Sequence, residues 1–232
     1  MNYSVKECVI YMCMRMFYHQ ISELNGESIL KEQSVSALKK ITDILVIDDN
    51  PFTFLEALRK HEFNIEQKDD LHSLKDVEAY DIILCDVRGV GKFLESKYEG
   101  AYLIKQIKEK YPNKSIVAYT ANEYDPDFQT YLSYADAIIQ KGCALEDWSS
   151  LLDKIVKESA DPIKQWQKTR SALLESGVST IDVAKYESQY VKVVKSGDFE
   201  SLKKTYENKP TNKGVEIMLS LLTSLVGKYI KE

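Results

Sequence analysis

The stretch Ile44-Leu45-Val46-Ile47-Asp48-Asp49-Asn50 decides how this chain is read. Four aliphatic residues in a row, closed by two carboxylates, describe a strand that is buried on both faces and ends at a charged edge. A strand with one wet face would alternate apolar and polar side chains, and this one does not.

Outward from it, short apolar runs alternate with longer helical patterns. The predicted strands are Ile44–Ile47, Asn64–Gln67, Asp81–Cys85, Ser115–Tyr119 and Ala137–Ile139. Between them lie predicted helices over Pro51–His61, a short one near Leu71–Glu78, then Gly100–Lys110, Asp125–Tyr134 and Leu145–Val156. Such βαβ alternation predicts an α/β, doubly wound parallel sheet over 41–160. Pro51 is expected in a first helical turn, where a missing N–H costs nothing.

After Ala160 the strand signal stops. Asp161-Pro162 opens a helical tail with segments near Ile163–Glu175, Thr180–Lys195, Phe199–Glu207 and Gly214–Ile230. The expected division is a helical N-terminal extension over 1–40, an α/β domain over 41–160 and an α-helical domain over 161–232. Cys8 to Tyr18 is expected to be a buried amphipathic helix, since the stretch contains Arg15 and is too short to span a bilayer.

The 232 residues, 44% apolar and 29% charged, suit a globular chain with a proper core. The net charge of −5 is uneven: residues 41–160 hold 14 basic against 23 acidic side chains, while 161–232 hold 12 against 9. Phosphate-backbone affinity needs clustered Lys and Arg, so nucleic acid is not expected as a partner. Cys8, Cys13, Cys85 and Cys143 form no CxxC pair and lack zinc-ligand spacing, which points to a reducing cytosol. The C-terminal apolar stripe of Val215, Ile217, Met218, Leu219, Leu221, Leu222, Leu225 and Val226 reads first as core, with a homodimer helix as the alternative.

In a doubly wound sheet, ligands bind beyond the carboxyl ends of the strands. The residues there are Asp48 and Asp49 after strand one, Asp86 after strand three, Thr120 after strand four and Lys141 after strand five. Three crowded carboxylates repel one another, and a divalent cation resolves that. Mg2+ suits the set, with Asp49 and Asp86 as ligands and Asp48 bound directly or through water. Asp86, at the end of the central strand, is the best placed to attack phosphorus and form an aspartyl-phosphate. Thr120 and Lys141 are then expected to hold phosphoryl oxygens.

The segments ILVIDDN (44–50), DIILCDV (81–87), VAYTA (117–121) and IIQKG (138–142) resemble the receiver domain of bacterial response regulators, over about residues 41–157. Four such fragments in this order are far more specific than any one alone. The resemblance implies a flavodoxin-like five-stranded sheet of order 2-1-3-4-5 and a cytoplasmic, Mg2+-dependent signalling switch. In it Asp48 and Asp49 are the acidic metal pair, Asp86 the phospho-acceptor, Thr120 the switch hydroxyl and Lys141 the phosphate-pairing lysine. The main-chain carbonyl of Arg88 is the implied further metal ligand. The implied phosphoryl source is a sensor histidine kinase or phosphotransfer protein, with a downstream protein partner reached through the helical domain.

The chain also departs from that pattern. Gly142 replaces the usual proline after the lysine, and Ile138 stands where many receivers carry an aromatic side chain, so output by aromatic rotation is not expected. The segment between Asp86 and Gly100 is several residues longer than typical, and Gly89 and Gly91 are expected to make it mobile. No GxxxxGK[ST] loop is present to draw phosphate from ATP. Two other readings compete: a phosphate-independent pseudo-receiver that only binds partners, and a phosphatase of the haloacid-dehalogenase kind. The second is disfavoured because the nucleophile would follow strand three rather than strand one. His19, on a predicted helix, reads as an ordinary histidine rather than a phosphotransfer group.

Overall fold

The computed structural model describes residues 18–24, 34–94, 98–121 and 126–229. Five parallel strands, β1 (Asp43–Ile47), β2 (Asn64–Lys68), β3 (Ile82–Asp86), β4 (Ser115–Thr120) and β5 (Ala137–Gln140), form one sheet in the order β2-β1-β3-β4-β5. Strand order reverses between β1 and β3, and that switch point opens a crevice at the carboxyl ends.

The three inner strands bury nearly every side chain because both faces are covered. Alternate residues divide the core. Leu45, Ile47, Ile83, Cys85, Ile116 and Ala118 pack under α3 (Glu99–Lys110) and α4 (Pro126–Leu132). Ile44, Val46, Ile82, Leu84, Val117 and Tyr119 pack under α1 (Val35–Ile41), α2 (Leu55–Lys60) and α5 (Leu145–Ala160). On the edge strand β5 alternate residues are exposed, including Ile138 at 53%.

The largest difference from the sequence reading is at the start of one helix. α2 begins at Leu55, and Pro51 precedes it in an irregular segment rather than standing in its first turn. Gln67 explains the delay: its amide nitrogen donates to the Asp48 and Asn50 carbonyls and its oxygen accepts from the Phe52 N–H. Those bonds hold 48–52 as a loop. The expected helix near Leu71–Glu78 is a single 3₁₀ turn, Leu74–Val77.

The tail folds into α6 (Pro162–Glu175), α7 (Thr180–Ser196), α8 (Phe199–Glu207) and α9 (Lys213–Tyr229). Asp161 caps α6 by accepting from the Ile163 and Lys164 N–H groups, with Pro162 in the first turn where it has no bond to lose. Trp166, Tyr190, Phe199 and Tyr206 are the large buried rings of this part, and Tyr190 stacks on Trp166 at 5.2 Å. The stripe on α9 is core: Val215, Ile217, Met218, Leu221, Leu222 and Leu225 are buried, while Leu219 and Val226 are partly so.

The helical part docks at the amino ends of the strands. Ser224 donates to Asp81 at 2.8 Å, Ser220 donates to Asn113 at 2.5 Å, and Lys168 reaches Ser115 and Asp136, each at 3.0 Å. Asp136 is shared with Lys108 at 2.7 Å and also accepts from the Ile116 N–H. Of the N-terminal extension, the described parts are a 3₁₀ turn, Ile21–Glu23, and α1, whose Leu38 joins the core of the α/β part. The helix expected over Cys8 to Tyr18 lies outside the described residues except for Tyr18, and His19 stands in a non-helical segment bonded to Glu23. No helix among the described residues is long and apolar enough to cross a membrane.

Burial pushes the Asp136 carboxyl up, but the two lysines and the Ile116 N–H outweigh it, and the net direction is below the ordinary 3.8. A carboxylate held low stabilises the fold above its unfolded pKa and loses that contribution as pH falls through the folded value. Asp136→Asn is therefore expected to cost about 2 kcal/mol at pH 7, between an exposed and a buried pair. The gap should close in acid; urea denaturation giving equal gaps at neutral pH and at about pH 3 would contradict this.

Candidate functional site

Asp48 and Asp49 leave the end of β1, Asp86 ends β3, Thr120 ends β4 and Lys141 follows β5. Parallel register brings these ends to one edge of the sheet. Asp49, Asp86, Arg88, Thr120 and Lys141 line one cavity of about 330 Å³, together with Asn50, Gly89 and Ala121.

The carboxylates of Asp48, Asp49 and Asp86 each offer an oxygen, and these atoms lie within 4.8 Å of one another. Lys141 Nζ stands 2.5 Å from Asp86 Oδ2 and 3.3 Å from Asp48 Oδ2. Burial pushes the Asp86 carboxyl upward, and the bonds from Lys141 and the Arg88 N–H only partly oppose it. For Lys141, burial pulls downward, but Asp86 and Asp48 win and hold the ammonium above its ordinary range.

Tyr119 is a site residue that the sequence reading passed over. Its hydroxyl donates to Asp48 Oδ2 at 2.8 Å within the core, and Lys141 Nζ lies 5.2 Å from its ring centre. Burial, with the neighbouring Asp48 charge, pushes the phenol strongly upward, so it stays a donor. Asp48 Oδ1 meanwhile accepts from the Asn50 N–H at 2.9 Å. Both Asp48 oxygens are thus engaged by the protein.

Asp49 is more open. One oxygen accepts from the Asn50 side-chain amide at 2.8 Å, and the other meets Lys92 Nζ at 3.0 Å. Gly89 makes room for it: φ is +81°, and a Cβ there would stand 2.6 Å from both Asp49 oxygens. Gly100 serves closeness too, since a Cβ would fall 1.9 Å from the Asp86 carbonyl oxygen.

Arg88 lines the cavity and its N–H donates to Asp86 Oδ1 at 3.3 Å, while its guanidinium sits 4.9 Å from the Phe128 ring. Thr120 is buried beside Lys141, whose N–H donates to the Thr120 carbonyl. The loop after Asp86 is not left loose by its glycines. The Asp70 carboxylate accepts from the N–H groups of Gly91 and Lys92, and Glu99 accepts from Gly89. Residues 95–97 of the loop lie outside the described residues.

The donor set fits a divalent cation: three hard carboxylate oxygen donors in a small gap, with only singly charged neighbours to balance them.

The chain matches no protein-family model and no curated protein. Several solved structures are similar to it. A response regulator from Thermotoga maritima shares 24% identity and covers 50% of this chain and 97% of its own, with a TM-score of 0.40. A CheY-like response regulator receiver domain protein from Methanospirillum hungatei shares 17% identity, covering 51% and 95%, with a TM-score of 0.42. The response regulator TrrA from T. maritima, solved in complex with Mg(2+)-BeF, shares 18%, covering 49% and 98%, with a TM-score of 0.40. These neighbours are receiver-type proteins that account for about half of the chain and leave the rest unmatched.

Tyr119→Phe removes one buried bond to a carboxylate and nothing else. It is expected to cost about 2 kcal/mol of stability, as for hydrogen bonds to charged groups. Urea denaturation of the purified variant checks this, and a loss below about 0.5 kcal/mol would show the bond to be idle.

Proposed function

We propose that this chain is a response-regulator-like signalling protein that accepts a phosphoryl group on Asp86 with Mg2+ and passes its state on through protein contacts. The observation that carries this is Asp86 at a strand end, 2.5 Å from Lys141 and within 4.8 Å of Asp49. A helix-capping pair or a solvated lysine would not need that convergence.

Asp49, Asp86 and the main-chain carbonyl of Arg88 would hold the cation, with Asp48 acting through water because its own oxygens are engaged. The cation supplies positive charge that offsets the carboxylates and polarises the phosphoryl oxygens. An Asp86 oxygen forms the new P–O bond. The P–N bond of a donor phosphohistidine breaks, and its electron pair leaves with the imidazole, which picks up a proton from solvent. Lys141 and the Thr120 hydroxyl hold equatorial oxygens as charge shifts.

The donor in this reading is a sensor histidine kinase or a phosphotransfer protein, and the place of action is the cytoplasm. Residues 161–232, which we treat as a domain appended to 41–160, offer the surface for a downstream protein partner. The same chemistry serves a switch or a phosphate buffer.

Incubated with an acyl phosphate, or with a partner kinase and ATP, the full chain should take up one phosphoryl group, labile to alkali and hydroxylamine as an acyl phosphate is, only when Mg2+ is present. Asp86→Asn should abolish labelling, and Lys141→Ala should slow it about a hundredfold, the usual cost of one lost charge-stabilising donor. Undiminished labelling of Asp86→Asn would refute the reading.

A further inference from the structure

Lys92 is the one described cation that bonds Asp49, and it comes from the long loop rather than from the sheet. We propose that it is a positioning residue of the acceptor site: its ammonium occupies Asp49 until a divalent cation displaces it. The proposal rests on the acceptor reading above.

An exposed ion pair is ordinarily worth little, because two flexible side chains must be ordered to make it. Here the loop is already ordered at the right place. Asp70 accepts from the Gly91 N–H at 2.7 Å and the Lys92 N–H at 2.9 Å, which fixes the stem of Lys92. Gly89 lets the chain pass against the Asp49 carboxylate, where any Cβ would collide. The ammonium then needs only its own side chain to reach Asp49 Oδ2 at 3.0 Å. The second Asp49 oxygen is filled by Asn50, so a cation that binds this carboxylate from the cavity side meets Lys92 on its ligand. A single and a double positive charge on one carboxylate oxygen repel, and the mobile one leaves.

Displacement has a place to register. Phe93, the next residue, is 62% exposed with its ring 4.4 Å from that of His72. Loss of the Lys92 contact frees the side chain next to this aromatic while Asp70 still holds the backbone, so the state of the site is written on an exposed surface beside it.

The test uses the full chain and Mn2+ titration read by electron paramagnetic resonance, together with limited trypsin cleavage after Lys92. Lys92→Gln should tighten Mn2+ binding about two- to fivefold, the range expected for losing one exposed competing charge, and Lys92→Arg should bind as the wild type does. Mg2+ should speed cleavage after Lys92 severalfold in the wild type, and Asp49→Asn should do so without metal. A through-space charge effect alone would change affinity but not cleavage. Wild type that binds Mn2+ while Lys92→Gln binds no tighter, or cleavage indifferent to both Mg2+ and Asp49→Asn, overturns the role of Lys92. Wild type that binds no divalent cation overturns the acceptor reading itself.

Discussion

Three carboxylates stand at the carboxyl edge of one sheet, and Lys141 is the ammonium that touches two of them. The rest of the architecture serves that arrangement. Parallel strands force their carboxyl ends to the same side, and the reversal of strand order separates the neighbouring connections so that a crevice opens there. The price of crowding like charges is met by Lys141, by the Tyr119 hydroxyl and by backbone N–H groups from Asn50 and Arg88. Gly89 and Gly100 are constrained by the same crowding, since each passes so close to Asp49 or Asp86 that no side chain fits.

Much of this was legible in the sequence because strand ends are marked twice. ILVI, IILC and IVAY each show two-faced burial, and each is followed at once by the polar residue that the sheet delivers to the edge. Asp48, Asp49, Asp86, Thr120 and Lys141 all stand at one edge of the sheet, since the period of a strand leaves little freedom in where its last residue lands. Helix starts were less legible. Pro51 suits a first turn, but Gln67, sixteen residues on, claims the loop backbone, and no local rule foresees a side chain from the next strand.

Tyr119 and Lys92 were missed for a different reason. Tyr119 looks like one more apolar residue of β4, and only the fold shows its hydroxyl reaching across to β1. A signal did exist, since a buried tyrosine hydroxyl needs a partner and Asp48 was already expected nearby. Lys92 gave none, because the path of its loop depends on Asp70, more than twenty residues earlier in the chain. Glycines in that segment suggested looseness, whereas Gly89 and Gly91 both adopt positive φ in a backbone held by carboxylates.

The helical tail settles against the amino ends of the strands, opposite the acidic edge. Asp81, Asn113 and Ser115, which seed β3 and β4, are each capped by a side chain from beyond residue 160. A fragment trimmed at Ala160 would leave Asp81 and Asn113 facing water without those partners. The α/β half and the helices after it thus share a polar seam, and the floor of the sheet belongs to both.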